Sequence, residues 1–154
     1  MSPEEKLLSL GIELPDAPAP LGSYVPAVTT GNLVYLSGML PLVDGKLVRT
    51  GKFGTEIGVE NGPELARLAA INGLSVLRAH VGSLSRVRRC VRVCGYIASA
   101  PDFTSQPAVL NGASELMAEV FGENGRHARA AVGVNVLPLD APVEVEFIFE
   151  IDTG

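Results

Sequence analysis

The sequence predicts a single α+β domain in which two helices cover one face of a mixed sheet of five to six strands. At 154 residues and 47% hydrophobic content, the chain is large and apolar enough for one core. Its β-rich and helical segments follow the order of three strands, a helix, a strand, a second helix and two strands. Two amphipathic helices suffice to cover one side of such a sheet. We therefore assign residues 1–154 to one domain, with residues 1–21 as a terminal helix and an extended arm.

The terminal helix is predicted from a capping-box spacing. Ser2 is a candidate N-cap, Pro3 takes the first helical position and Glu5 takes the third. The following stretch, "LPDAPAPLG", contains too much proline to continue a helix. We expect it to form an arm that lies along the body of the domain.

The first strands are predicted from turn residues between short β-rich runs. Thr30-Gly31-Asn32 divides the segment "SYVPAVTTGNLVYLSG" into a hairpin, and Asp44-Gly45 marks another turn that leads to a third strand.

Helical spacing of apolar residues predicts one helix from Pro63 to about Val81 and another from near Ser105 to Phe121. A glycine follows each of them. Between the helices, residues 87–98 alternate as a strand does.

The two last strands determine the candidate site. In "VEVEFIFEI", large apolar residues alternate with Glu144, Glu146 and Glu150. In "ARAAVGV", Arg129 falls on one face with Ala131 and Gly133. If the larger apolar set of each strand packs under the helices, the opposite face carries small residues, carboxylates and one arginine. Such a face is a poor core and a poor solvent surface, so we expect a second subunit to cover it in a symmetric oligomer.

Composition excludes several classes of function. With 17 acidic and 12 basic residues the net charge is −5, which disfavours non-specific binding of nucleic acid or of anionic lipid. The local basic run is interpreted as a solvated patch; it comprises Arg86, Arg88, Arg89 and Arg92. The first residues do not resemble a secretory signal and no apolar run approaches the ~20 residues of a membrane span. We expect a soluble, cytoplasmic protein.

The two cysteines are expected to be structural. Cys90 and Cys94 lie four apart on a predicted strand, where such positions share a face at a separation of ~13 Å, too far for a disulfide. Neither His80 nor His127 has the spacing of a metal site, so we expect no metal.

Arg129 is the strongest candidate for chemistry. Its guanidinium keeps its charge and matches a carboxylate in shape, and its small neighbours leave room for a ligand. An equally weighted alternative is an interface salt bridge to Glu144, Glu146 or Glu150. Any of these glutamates beside a pocket could act as a general base, and their spacing alone does not choose among them.

A second candidate set lies near the predicted hairpin. Tyr24 could hydrogen-bond or stack on a ligand, and Ser37 with Gly38 could offer a hydroxyl and a backbone N–H. The alternative, a half-buried tyrosine and an ordinary strand end, is open for both.

Three segments together resemble the Rid family, also called the YjgF or endoribonuclease L-PSP family. They read "GSYVPAV…GNLVYLSGMLP", "NGLSVLRAHVGSLSRVRRCVRVCGYIASAPDF" and "ARAAVGVNVLPLDAPVEVEFIFEI". The resemblance spans nearly everything from Gly22 to Ile151. It implies a chorismate-mutase-like α+β sandwich that assembles as a homotrimer with a ligand cleft at each interface.

The resemblance also implies an activity, the hydrolysis of reactive enamines and imines such as 2-aminoacrylate to 2-keto acids and ammonia, without a cofactor. By motif, Arg129 holds the substrate carboxylate, while Glu144 and the carbonyl of Ala131 position water. Tyr24, Ser37 and Gly38 match ligand-lining positions. The family often has Gln where this chain has Met39 and Cys where it has Ala131. Ala131 can still offer its carbonyl, but Met39 implies a less polar pocket. A trimer that binds a keto acid without turnover is therefore the alternative, and an endoribonuclease is less favoured.

Overall fold

The computed structural model describes residues 1–154. Helix α1 spans Pro3–Ser9. The strands follow as β1 (Ala27–Thr30), β2 (Leu33–Leu36), β3 (Leu42–Val43) and β4 (Lys46–Leu47), then helix α2 (Gly62–Val81), β5 (Val87–Ala98), α3 (Gln106–Phe121), β6 (Ala128–Val134) and β7 (Val143–Ile151). Short 3-10 turns precede α2, β5 and β6 and separate β6 from β7.

The main sheet has five strands in the order β1-β2-β7-β5-β6. Strands β5 and β6 are parallel, and the other neighbours are antiparallel. Helices α2 and α3 pack against each other and over one face of this sheet. The predicted two-layer α+β fold is therefore confirmed, as are the positions of both long helices and of the strand between them.

The third predicted strand lies outside the main sheet. Strands β3 and β4 are two residues long each and pair only with one another. Asp44 and Gly45 between them both have positive φ, at 52° and 77°, which is the backbone geometry of a tight hairpin turn.

The core lies between the sheet and the helices. Every second residue of β7 is buried there, from Val143 to Ile151, while the glutamates between them are half-buried on the opposite face. We call this opposite face, which no helix covers, the open face. The predicted division of β7 into two faces is confirmed.

The prediction for β6 is wrong. Arg129 is paired with Val93 and Ala131 with Gly95, and these β5 residues are in turn paired with Phe147 and Val145 of the buried face. Arg129 and Ala131 therefore lie on the helix side of the sheet, and Val132 lies on the open face. The prediction assumed that the larger apolar side chains of β6 face the helices. This assumption fails because β6 is an edge strand of the sheet. A Cβ on Gly133 would lie 2.7 Å from the Gln106 amide nitrogen in the first turn of α3, so a side chain at this position would displace that of Gln106.

Irregular pairing also separates the two cysteines. The register of β5 on β7 shifts between Cys90 and Arg92. Cys90 is consequently paired with Phe149 on the helix side, whereas Cys94 is paired with Glu146 on the open face. Both thiols are free and buried, and burial raises the pKa of Cys90 to about 12. The expectation that residues four apart share a face fails here because of the bulge.

The terminal helix forms as the capping box predicts. The Ser2 hydroxyl accepts from the Glu5 N–H at 3.1 Å, and the Glu5 carboxylate accepts from the Ser2 N–H at 2.8 Å. Leu7 is 2% exposed and belongs to the main core, which ties this helix to the domain.

Candidate active site

A cavity of about 450 Å³ opens between the N-terminal arm and the start of β7. It brings together five of the predicted site residues, namely Tyr24, Ser37, Gly38, Met39 and Glu144. Most of its remaining walls are apolar and include the arm residues 18–21. The sequence did not predict that the arm takes part in this wall.

Glu144 is the only Asp, Glu, His, Lys or Arg residue among those that line the cavity. Its carboxyl is half-buried, and both this burial and the neighbouring charge of Glu146 raise its pKa above the ordinary 4.5. A carboxyl group with a raised pKa exchanges protons more readily near neutral pH than an ordinary one. The cavity therefore contains a candidate proton carrier.

Gly38 leaves room for that carboxyl group. A Cβ built on Gly38 would lie 2.7 Å from the carboxyl carbon of Glu144 and 2.9 Å from its Cγ. Since real carbon contacts are longer, any side chain at position 38 would push Glu144 away. The Ser-Gly pair thus matters here through the missing side chain.

The two hydroxyl groups of the cavity are engaged in holding its walls. Ser37 donates its hydroxyl hydrogen to the Val25 carbonyl at 2.7 Å. The Tyr24 hydroxyl accepts from the Leu21 N–H at 3.0 Å, a local bond across the bend at the end of the arm. Both retain capacity for a ligand, because the Ser37 oxygen can still accept and the Tyr24 O–H can still donate.

Met39 stands where the family often has glutamine, which suggested that its side chain makes the pocket less polar. Most of this side chain lies in the core and not in the cavity. Met39 is 6% exposed and belongs to the main core, and its backbone pairs with Val145 in both directions, at 2.7 and 2.9 Å. The apolar character of the cavity comes chiefly from the prolines and leucines of its wall.

Arg129 and Ala131 do not line this cavity. Arg129 donates to the Ser114 hydroxyl at 3.1 Å and to the Pro107 carbonyl at 3.4 Å, both on α3. Within this chain Arg129 forms no ion pair, since the two ion pairs present involve other residues, and a salt bridge to a glutamate of β7 across an interface stays a prediction. Ala131 is half-buried and packs against the main core.

Two of the carboxylates on the open face have neutral partners. Glu146 accepts from the Tyr96 hydroxyl at 2.6 Å, and Glu150 accepts from the Asn32 amide at 3.0 Å. This leaves Glu144 as the glutamate of β7 that is free to act in the cavity. The sequence alone could not separate these three residues.

The surroundings of Arg129 include residues that the sequence did not point to. Ser114 lies in the middle of α3, fifteen residues before Arg129, and contacts both Arg129 and His127. No motif marks this serine, because its role depends on how α3 packs beside β6.

No group of three or more His, Cys, Asp or Glu side chains is placed to hold a metal ion. None of the helices combines the length and the apolar character that a membrane span requires.

Residues 4–151 match the family model described as "YjgF/chorismate_mutase-like, putative endoribonuclease". The chain belongs to the YjgF family. A YjgF relative, Protein TCP17 of Trypanosoma cruzi, is 44% identical over 147 residues, covering 95% of this chain and 92% of its own. A second, the 2-iminobutanoate/2-iminopropanoate deaminase of Dermatophagoides farinae, is 37% identical, with 92% and 95% covered.

The fold agrees with solved YjgF structures. The protein Atu1372 of Agrobacterium tumefaciens, whose function is unknown, is 46% identical and superposes with a TM-score of 0.90 over 97% of this chain and 92% of its own. Relatives of this family thus include a deaminase as well as proteins without an assigned reaction.

Proposed function

We propose that the protein is a cytoplasmic deaminase that hydrolyses imines and enamines of small carboxylate-bearing compounds to 2-keto acids and ammonia. The observation that carries this proposal is the half-buried Glu144 carboxyl, whose pKa is raised, at an apolar cavity. The deaminase among the relatives supports the same reaction.

The proposed chemistry requires orientation and proton transfer and no redox step. Glu144 takes a proton from water as the water oxygen attacks the imine carbon, and the electron pair of the C=N bond moves to nitrogen. Glu144 then returns that proton to the nitrogen, which for an imine already protonated once by solvent gives an –NH3+ group. The C–N bond breaks and its electron pair leaves with ammonia, while the hydroxyl oxygen forms the C=O bond and passes its proton back to the Glu144 carboxylate. The new carbonyl completes the keto acid. Holding water and imine together supplies much of the rate enhancement, and a placed general base typically adds about 10²- to 10⁴-fold.

The substrate carboxylate is assigned to Arg129. Its guanidinium is oriented by two hydrogen bonds to α3 and has no carboxylate partner in its own chain. Because Arg129 and Glu144 lie on opposite faces of the sheet, one chain alone does not complete the site. We therefore propose a homotrimer, the assembly implied by the family resemblance, in which Glu144 of one subunit faces the partner subunit's Arg129.

The open face supports assembly. Val28 and Tyr35 are paired across β1 and β2 on this face and are 52% and 43% exposed, and Val132 of β6 is 43% exposed. Apolar side chains that span a sheet face at this exposure are typical of a protein interface. A second subunit on this face would also bring new groups near the cavity at Glu144.

The test is a coupled assay in which an amino-acid oxidase generates imines and their loss is followed. Arg129→Ala is expected to abolish the acceleration while the protein stays folded. Arg126→Ala is the matched control, since it removes the same charge from an exposed residue that pairs only with Glu123 at 3.5 Å. Equal activity of the two variants, or no acceleration of any imine by the wild type, would refute the proposal.

A trimer that binds keto acids without turnover is the second candidate. The observation that favours it is that the Tyr24 and Ser37 hydroxyls already form hydrogen bonds within the cavity walls. Few groups besides Glu144 are then left to move protons. It predicts thermal stabilisation by 2-oxobutanoate without release of ammonia from any imine. Stabilisation together with ammonia release would reject it.

A further inference from the structure

Ser114 joins His127 to Arg129 in a continuous chain of hydrogen bonds. His127 Nδ1 lies 2.7 Å from the Gly125 carbonyl oxygen, and its Nε2 lies 2.8 Å from the Ser114 hydroxyl oxygen. The same hydroxyl oxygen lies 3.1 Å from Nη1 of Arg129. Three elements therefore meet at Ser114: the turn before β6, β6 itself and α3.

The ends of this chain of hydrogen bonds fix the direction of two bonds, and the charge of His127 fixes the direction of the third. A carbonyl oxygen only accepts, so Nδ1 of His127 carries a hydrogen and donates it to Gly125. A guanidinium only donates, so the Ser114 oxygen accepts from Arg129. The Ser114 hydroxyl hydrogen is then free to be donated to Nε2 of His127, which must be unprotonated to accept it. The Ser114 hydroxyl hydrogen has an acceptor within this chain of bonds only when His127 is neutral and protonated at Nδ1.

We propose that neutral His127 positions Arg129 through Ser114, and that protonation of His127 releases this anchor and weakens binding of a carboxylate by Arg129. The proposal rests on the proposed function only in taking Arg129 as the anion-binding residue. His127 is a positioning residue here, because both of its nitrogens are used within the protein and neither contacts the ligand.

Protonation changes the chain in two ways. A hydrogen on Nε2 would point at the Ser114 oxygen, which would then face two cationic donors and lose the acceptor for its own hydrogen. It would also place a second positive charge beside Arg129. Burial is the main cause that lowers the pKa of His127 below the ordinary 6.5; the bond to Gly125 opposes it, and the charge of Arg129 lowers the pKa further.

The other charged groups around His127 are engaged elsewhere. Arg126 pairs with Glu123, and Arg89 of β5 donates to the Arg126 carbonyl at 3.5 Å. On α3, Glu119 pairs with Arg67 of α2 and Glu115 is exposed. No carboxylate therefore holds His127 in its charged form, and Arg129 is the charge that acts on it most directly.

Binding of 2-oxobutanoate, measured by calorimetry between about pH 8 and 5, tests the proposal across the range in which histidine titrates. The measurement uses the full-length Glu144→Gln protein, so that titration of Glu144 does not contribute. The Kd is expected to rise roughly tenfold toward acid pH, the effect of losing one hydrogen bond to a charged group. A Kd that stays constant, or that falls because His127 adds an attractive charge, would overturn the proposal.

Two further variants in the same background separate positioning from simple destabilisation. His127→Gln can still accept from Ser114 through its amide oxygen but cannot titrate, so its Kd should match the protein with His127 at pH 8 and remain flat. Ser114→Ala removes the anchor and should weaken binding at every pH. A pH profile of His127→Gln identical to that of the parent protein would contradict the proposal.

Nitrogen NMR of the imidazole gives a readout that needs no ligand. It should show the Nδ1-protonated tautomer of His127 and a titration midpoint below 6.5, and the opposite tautomer would overturn the proposal. Absence of keto-acid binding at all pH values would also overturn it. Binding with the expected pH profile, but without hydrolysis of any imine, would leave this inference standing and refute the proposed deaminase.

Discussion

Two inactive variants should restore each other's activity when they assemble together. Arg129→Ala removes the proposed carboxylate anchor and Glu144→Gln removes the proposed base, and each protein alone should be nearly inactive. The pairing of β6, β5 and β7 places these two side chains on opposite faces of one sheet. A complete site therefore draws them from different subunits, and a mixed trimer can contain sites in which both are intact.

The expected recovery follows from counting. In a ring assembled at random from equal amounts of the two variants, a site is intact when its arginine comes from one variant and its glutamate from the other. This holds for about one quarter of the sites. The assay is imine hydrolysis by material unfolded and refolded as a mixture, compared with each variant treated alone.

A second mixture distinguishes the two arrangements independently. Wild type mixed equally with the double variant should retain about a quarter of the activity if the sites are shared between subunits, and about half if each site lies within one chain. Recovery no greater than that of the separate variants, together with half-activity in the second mixture, would refute the assignment of Arg129 and Glu144 to a shared site.

The remaining predictions concern the cavity and the open face. Gly38→Ala should lower kcat by about 10²-fold with little change in KM, because its Cβ displaces the Glu144 carboxyl by an ångström or more, and unchanged steady-state kinetics would contradict this. Glu144→Gln should raise the free energy of unfolding at neutral pH. A raised pKa means that the folded state binds the proton more tightly, so this group's stabilisation is complete below 4.5 and is lost as pH rises through its folded pKa. Urea unfolding of the variant and the wild type at about pH 7.5 and about pH 4 checks this. An equal difference in their free energies of unfolding at both pH values would argue against it. Tyr35→Glu should shift the protein from trimer to monomer in sedimentation, with Glu60→Gln, on an exposed turn, as the control.

Local sequence features account well for the elements of the fold. The capping box at Ser2 and Glu5, the positive-φ turn at Asp44 and Gly45, and the apolar spacing of both long helices each depend on residues close together in the chain. Their geometry is set by short-range sterics and hydrogen bonding, which sequence patterns report directly. Five of the cavity residues, including Tyr24 and Glu144, were also among the residues implied by motif order, whereas the part of the arm in the wall was not predicted.

The tertiary structure decided which residues of the candidate site share a face. Alternation along β6 shows that Arg129 and Ala131 point the same way, but it does not say which way, because a strand can turn either side toward the helices. Its parallel pairing with β5 makes that choice, and an edge strand beside the end of α3 accepts small residues on its inner side. The partnership of Ser114 with His127 and Arg129 arises from the same packing of α3 on β6. The sequence by itself therefore determined the elements, the family and the candidate residues. Only long-range pairing decided that Arg129 and Glu144 lie on opposite faces, since register and packing depend on contacts between residues that are distant in the chain.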